Sequence, residues 1–248
     1  MQFTQAYPYM ATSLVMLGCA ALLLISRPAT RGAALLSGLL SMPFALFSFE
    51  FVGVYWHPRT VAYWRATSPE DLLFSFSTGV IVWSLATWLG SPIPILAIDT
   101  KRLVQRYLAL SALGIGTGYF FKFFHPIGVM NSAMVGIGLV GLVVAASRRD
   151  AWRLALGGLV GFGAFYIGLG ALISVLWPSF VGQWQSGEML RFSVLGLPGY
   201  ELVWALAYGA VWPLFMAYCF DAGGLQQSAV GVDTACPDAI MHLPPDQA

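Results

Sequence analysis

The chain has 248 residues, 58% of them hydrophobic and only 9% charged, whereas a soluble domain carries about a quarter charged residues to cover its wet surface. Lipid is the solvent that suits such a composition, and a formal net charge of +1 points neither to nucleic acid nor to an acidic substrate. Cys19, Cys219 and Cys236 have no C-x-x-C spacing, and two of them sit in apolar runs, where a thiol behaves as a small hydrophobe.

Met1 to Met10 contains no lysine or arginine, so the first apolar run is expected as a retained helix rather than a secretory signal. A span needs about 17–25 mostly apolar residues. Runs of that kind predict about seven helices, near Tyr9–Ser26, Gly32–Val54, Pro69–Leu89, Leu103–Phe121, Val129–Ala146, Ala151–Trp177 and Leu197–Phe220. The fold class expected is an all-α polytopic bundle, one transmembrane domain over 1–221. Residues 222–248 are polar and proline-bearing, and read as a disordered cytoplasmic tail.

With that odd number of spans, Arg27, Arg31, Lys101, Arg102, Arg106, Arg148, Arg149 and Arg153 fall on one side. Arg59, Arg65, Lys122 and Arg191 fall on the other. The richer side is cytoplasmic by the positive-inside rule, placing the amino terminus outside and the carboxyl terminus inside a cell (inner) membrane. Glu50, Glu70, Asp71, Glu188 and Glu201 then lie toward the outer face, with His57 and His125. Asp99, Asp150 and Asp221 flank the basic loops.

Two segments resemble each other. One runs Tyr63-Trp-Arg-Ala-Thr-Ser-Pro-Glu-Asp-Leu-Leu-Phe into the third span, the other Leu195-Gly-Leu-Pro-Gly-Tyr-Glu-Leu-Val-Trp into the seventh. Each is an outer loop, a proline, a glutamate and an aromatic-rich span. The preceding loops match loosely, Gly53-Val-Tyr-Trp-His-Pro against Val181-Gly-Gln-Trp. Residues about 9–90 and 129–221 therefore read as parallel repeats joined by a connector helix at about 103–121, a recurrent way to build membrane proteins.

Proline at a first helical position costs nothing, because its missing N–H would be unpaired anyway. An acid in the first turn faces the positive end of the helix dipole and its free N–H groups. Glu70, Asp71 and Glu201 thus have a plain reading as helix caps. The functional reading makes them carboxyl groups facing one cavity between the repeats, held at different acidities so that they can split acid and base roles. Glu50, near the outer end of the second span, is a further candidate, because an acid in an apolar span faces protein rather than lipid. Phe47, Phe49, Phe51, Tyr55, Trp56, Tyr63, Trp64, Phe74, Phe76, Trp184, Tyr200 and Trp204 gather on the same side. Most are expected as an interfacial belt, others as the lining of a polyene pocket or as ring faces that stabilise a carbocation.

These residues resemble a family. The repeated three-helix unit that opens its last helix with proline, acid and aromatic resembles the membrane-integral lycopene cyclases, over about residues 9–221. The likeness rests on Ser68-Pro69-Glu70-Asp71-Leu72-Leu73-Phe74 and Leu197-Pro198-Gly199-Tyr200-Glu201, with Asp221 at a further acidic position. The chain departs from the pattern where Pro69 abuts the acid pair and where Tyr200 replaces one glutamate, with Trp204 at the expected aromatic position. The resemblance implies a non-redox isomerisation. A carboxylic acid protonates a terminal double bond of a linear carotene, the neighbouring double bond closes a six-membered ring on the cation, and a carboxylate removes a proton. It implies Glu70 or Glu201 as acid, Asp71 or Glu50 as base or electrostatic partner, and Phe74, Trp56, Tyr200 and Trp204 against the substrate. The partners expected are the bilayer, a hydrophobic polyene or isoprenoid, and a second copy or partner membrane subunit.

Other patterns carry less. Gly136-Ile-Gly138-Leu-Val-Gly141 spells a dinucleotide fingerprint but follows no strand. Gly114/Gly118, Gly157/Gly161, Gly163, Gly168 and Gly170 read as close helix packing. His57 and His125 lack metal-ligand spacing, so no metal and no cofactor is identified. The seventh span has no lysine for a retinal Schiff base. A non-catalytic isoprenoid-binding member of the same fold and an unrelated small transporter are the alternatives.

Overall fold

The computed structural model describes residues 2–62, 64, 66–90, 98–125, 127–184 and 192–221. The expected tail, residues 222–248, lies outside the described residues, as do Tyr63, Arg65, Glu188 and Arg191.

A short α1 (Gln2–Ala6) leads into α2 (Pro8–Ser26), which has proline at its start. Next, α3 (Arg31–Ser41) continues as a 3-10 segment, Met42–Glu50. There follow α4 (Pro69–Leu89), α5 (Thr100–Phe124), α6 (Val129–Ser147), α7 (Trp152–Leu176), the single turn α8 (Pro178–Val181) and α9 (Gly199–Cys219). Two-residue strands β1 (Ser193–Val194) and β2 (Leu197–Pro198) form a hairpin before α9. Its turn puts Leu195 and Gly196 at φ 50° and 86°, the positive angles that a two-residue hairpin turn demands.

Six of these helices are long and apolar enough to cross a bilayer: α2, α3 with its 3-10 extension, α4, α6, α7 with the turn before it, and α9. That is the build of a multi-pass membrane protein. Helix α5 has the length, 25 residues, but Lys101, Arg102, Gln105, Arg106 and Lys122 dilute its apolar character. It is separate from α6: the chain turns at Gly128, φ 85°, a conformation that glycine adopts without strain. The second expected span is regular only to Ser41. Pro43 has no N–H to donate one turn back, the helix tightens into 3-10 geometry, and Val54 lies in the loop beyond it.

Helix α4 is central, packing along α2, α3 and α7, while α9 packs along α7 and α6, and α5 along α6. In each half the third helix covers both predecessors, and the first two touch each other little. Close approaches use glycine. A Cβ on Gly158 would strike the Gly209 carbonyl and Pro213 of α9, one on Gly157 would strike Gly90 and Ala86 of α4, and one on Gly136 would strike the Gly114 carbonyl of α5. Gly168, expected among these contacts, has open space instead. Leu22, Ile25, Leu142 and Val175 are each two-thirds or more exposed, as residues facing acyl chains are.

One end of the bundle is basic. Arg27 donates to the Ser84 carbonyl, Arg106 to Tyr218 and Arg148 to Ala217 at 3.3, 2.7 and 3.2 Å, so guanidinium groups reach carbonyls in the last two turns of α4 and α9, at the negative end of each helix dipole. Arg106 also pairs with Asp221 at 3.0 Å.

Candidate functional site

Toward the other end lies a cavity of about 400 Å³, walled by α2, the 3-10 segment, α4, α5, α6, α7 and α9. The wall is mostly apolar and aromatic. Among the described residues, its carboxyl groups are Glu50 and Glu201.

Glu201 sits in the first turn of α9, but that helix has no side-chain cap. The carboxyl group turns to three aromatic donors instead. Tyr55 Oη and Trp184 Nε1 donate to Oε1 at 3.0 and 3.1 Å, and Tyr166 Oη donates to Oε2 at 2.7 Å. Tyr166 comes from α7, whereas Tyr55 and Trp184 come from the two loops. Those loops meet: His57 N donates to the Gln183 carbonyl at 2.9 Å, and Trp56 stacks on Trp184 with centroids 5.9 Å apart. Burial, and then the Glu201 charge, push the Tyr55 phenol above its ordinary range, so Tyr55 remains a donor.

From Glu201 an aromatic ladder descends along α9. Trp204, Tyr208, Trp212 and Phe215 stack in sequence with centroids 5.3, 5.3 and 5.2 Å apart. The spacing of three or four residues sets them on one face, and all four line the cavity. The polar tips are satisfied from α3: Tyr208 Oη bonds Ser41 Oγ at 2.9 Å, and Trp212 Nε1 donates to Ser37 Oγ at 2.9 Å.

Glu50, at the end of the 3-10 segment, is in an ion pair with Lys122 and accepts from Tyr119 Oη at 2.8 Å. Both partners belong to α5.

Glu70 and Asp71 sit behind the wall rather than on it. Asp71 closes a capping box with Ser68, accepting from Ser68 N at 2.8 Å while its own N–H donates to Ser68 Oγ at 3.2 Å. It also accepts from Tyr9 Oη and Ser48 Oγ at 2.8 and 3.0 Å. It therefore ties α2, the 3-10 segment and α4 together. Glu70 is fully buried; Oε1 accepts from Val61 N at 2.6 Å and Oε2 has no hydrogen-bond partner among the described residues. The cavity carboxyl groups expected to be Glu70 and Glu201 are instead Glu50 and Glu201 among the described residues. The first turn of α4 is committed to closing its own helix end, whereas α9 leaves its glutamate free to turn inward.

Of the expected substrate contacts, Phe74, Trp56 and Trp204 line the cavity. Tyr200 does not: it is buried between helices, donating from Oη to Asn131 Oδ1 of α6 at 2.7 Å. Tyr166 and the Lys122–Tyr119 pair escaped the sequence reading. Tyr166 is one ring in a glycine-rich apolar helix, and Lys122 is one of four cations expected at the poorly charged end; each was a weak signal. Among the described residues no cluster of three or more histidine, cysteine or acidic side chains could hold a metal.

Compared with protein-family models, curated proteins and solved structures, the chain matches none.

Proposed function

We propose that the chain is a seven-span protein of the cell membrane, amino terminus outside, that acts as a carotenoid cyclase of the lycopene cyclase type. The observation that carries this reading is Glu201, held by three aromatic donors at the head of a stacked ring ladder in an apolar cavity. The gathered arginines at one end support the orientation. The matching packing of the two halves, and the meeting of their Trp-bearing loops, support two repeats with α5 as connector.

In the reaction Glu201 gives its proton to the terminal double bond of a linear polyene. Tyr55, Tyr166 and Trp184 then hold the carboxylate left behind, as preorganised donors that need not reorient. The neighbouring double bond attacks the tertiary cation and closes a six-membered ring. Trp204 and Phe74 present ring faces to the cation, and the Glu50–Lys122 pair supplies a fixed dipole across the cavity. The Glu201 carboxylate takes a proton from the adjacent carbon, so the product is an isomer and no oxidant is consumed. Glu70 and Asp71 hold the frame behind this wall.

Expression in a lycopene-accumulating host tests the reading. Cyclic carotenes with the parent chain, absent with Glu201→Gln at equal protein level, are expected. Unchanged lycopene beside correctly inserted parent protein would contradict it. A binding-only role is favoured by one observation, the pairing of Glu50 with Lys122, which among the described residues leaves a single cavity acid without a basic partner; retention of intact lycopene by the purified protein would mark that outcome.

A further inference from the structure

The cavity walls close by helix packing everywhere but one. Pairs α3–α4, α4–α7, α7–α9, α9–α6 and α6–α5 lie along each other, whereas α5 does not pack along α3 or its 3-10 extension. That extension is nine residues of 3-10 helix, in which runs beyond three or four residues are uncommon and hydrogen bonds poorly aligned. Of the 25 residues in α5, only Leu103 and Leu110 are buried.

Among the described residues, contacts made by side chains bridge the seam. Tyr107 Oη donates to the Leu40 carbonyl at 2.9 Å, Phe47 and Tyr119 rings meet at 6.4 Å, and Tyr119 and Lys122 hold Glu50. Phe44 and Phe47 on one side and Ile115 and Tyr119 on the other also line the cavity. Leu46 of the 3-10 segment and Phe120 of α5 are 51% and 48% exposed, so each wall of the seam also presents an apolar side chain outward. Parting it breaks these side-chain contacts but none of the helix–helix pairings named above.

We propose that this seam is a lateral portal by which a linear, apolar, membrane-dissolved chain reaches the cavity, latched at its outer end by Glu50, Lys122 and Tyr119. The proposal rests on the cavity reading above. The ligand class follows from the route: a chain soluble in acyl tails passes between the apolar walls that carry Phe44, Phe47 and Ile115, and a hydrated solute does not.

The test uses the full chain in lipid vesicles, with Phe47→Cys and Tyr119→Cys in a Cys19→Ala, Cys219→Ala, Cys236→Ala background. A reversible bis-methanethiosulfonate reagent links the two thiols after reconstitution, so folding is not at issue. The probe is trans-parinaric acid, a conjugated polyene that partitions into the bilayer; saturable energy transfer from the cavity tryptophans reports its arrival. Arrival at least tenfold slower in the linked protein, restored by reducing agent, is expected. Equal rates in linked and unlinked protein overturn the portal and leave the cavity reading standing. No saturable transfer in the unlinked protein overturns both. In the parent chain Lys122→Met, which removes the latch cation, is expected to speed arrival at least threefold, and an unchanged rate overturns the latch.

Discussion

Asp71→Ala separates the frame of the site from its chemistry. The carboxylate is 5% exposed and accepts from Tyr9 Oη, Ser48 Oγ and Ser68 N at 2.8, 3.0 and 2.8 Å. A hydrogen bond to a charged group contributes about 1.5–3 kcal/mol. Polar pairs inside membrane bundles average nearer 0.6 kcal/mol, because the unfolded chain in the membrane also finds partners. Three donors at a buried helix end, left partly unsatisfied, fall between these limits at about 3–5 kcal/mol. For a chain of this size about 1 kcal/mol moves Tm by about 2–4 °C, so a loss of about 10 °C is expected. Asp71→Asn keeps the shape and one acceptor, and is expected to lose about half as much. Buried Cys219 supplies the assay: heating in detergent with a thiol-reactive dye, in a Cys236→Ala and Cys19→Ala background, records when it becomes exposed. A Tm for Asp71→Ala within about 2 °C of the parent would refute the idea that this carboxylate ties α2, the 3-10 segment and α4.

Other outcomes follow from the same contacts. Tyr166→Phe removes the shortest donor to Glu201, 2.7 Å, and is expected to lower ring-closure turnover about a hundredfold, read from product per inserted protein, while Tm stays near the parent's. Gly158→Ala drives a methyl into the Gly209 carbonyl and is expected to reduce Tm, whereas Gly168→Ala, with nothing within 4 Å, is expected to leave Tm unchanged or raise it by up to about 2–4 °C, the equivalent of about 1 kcal/mol of helix propensity. Membrane-impermeant thiol labelling of Arg102→Cys and His125→Cys, at the two ends of α5, is expected from opposite faces of the membrane; labelling from the same face would remove α5 from the spans.

The helices were legible because lipid imposes a length and a polarity on every crossing segment. Pro69 marked the start of α4, and glycines such as Gly157 marked where backbones meet. Pro43 was visible but its consequence was not, since a mid-helix proline can be absorbed by a kink, a turn or a change of helix type. The paired loops with Trp56 and Trp184 were legible as similar segments, though not as a stacked contact. Side-chain direction was harder. Asp71 and Glu201 both follow a proline in a first turn, yet Ser68 upstream claims Asp71 for capping, and Pro198, with no side-chain acceptor, leaves Glu201 to the aromatic rings. The Glu50–Lys122 pair joins residues 72 positions apart, and no periodicity connects such distant partners.

The most direct measurement is ring closure in heavy water. Purified parent protein in lipid vesicles is supplied with lycopene in D2O, and the carotenes are separated and weighed by mass spectrometry. Transfer of an exchangeable carboxyl proton from Glu201 to the terminal double bond leaves one deuterium in each ring that closes, and Glu201→Gln yields no cyclic product. Acyclic, unlabelled lycopene recovered from folded parent protein, or rings formed equally by Glu201→Gln, would contradict the assignment.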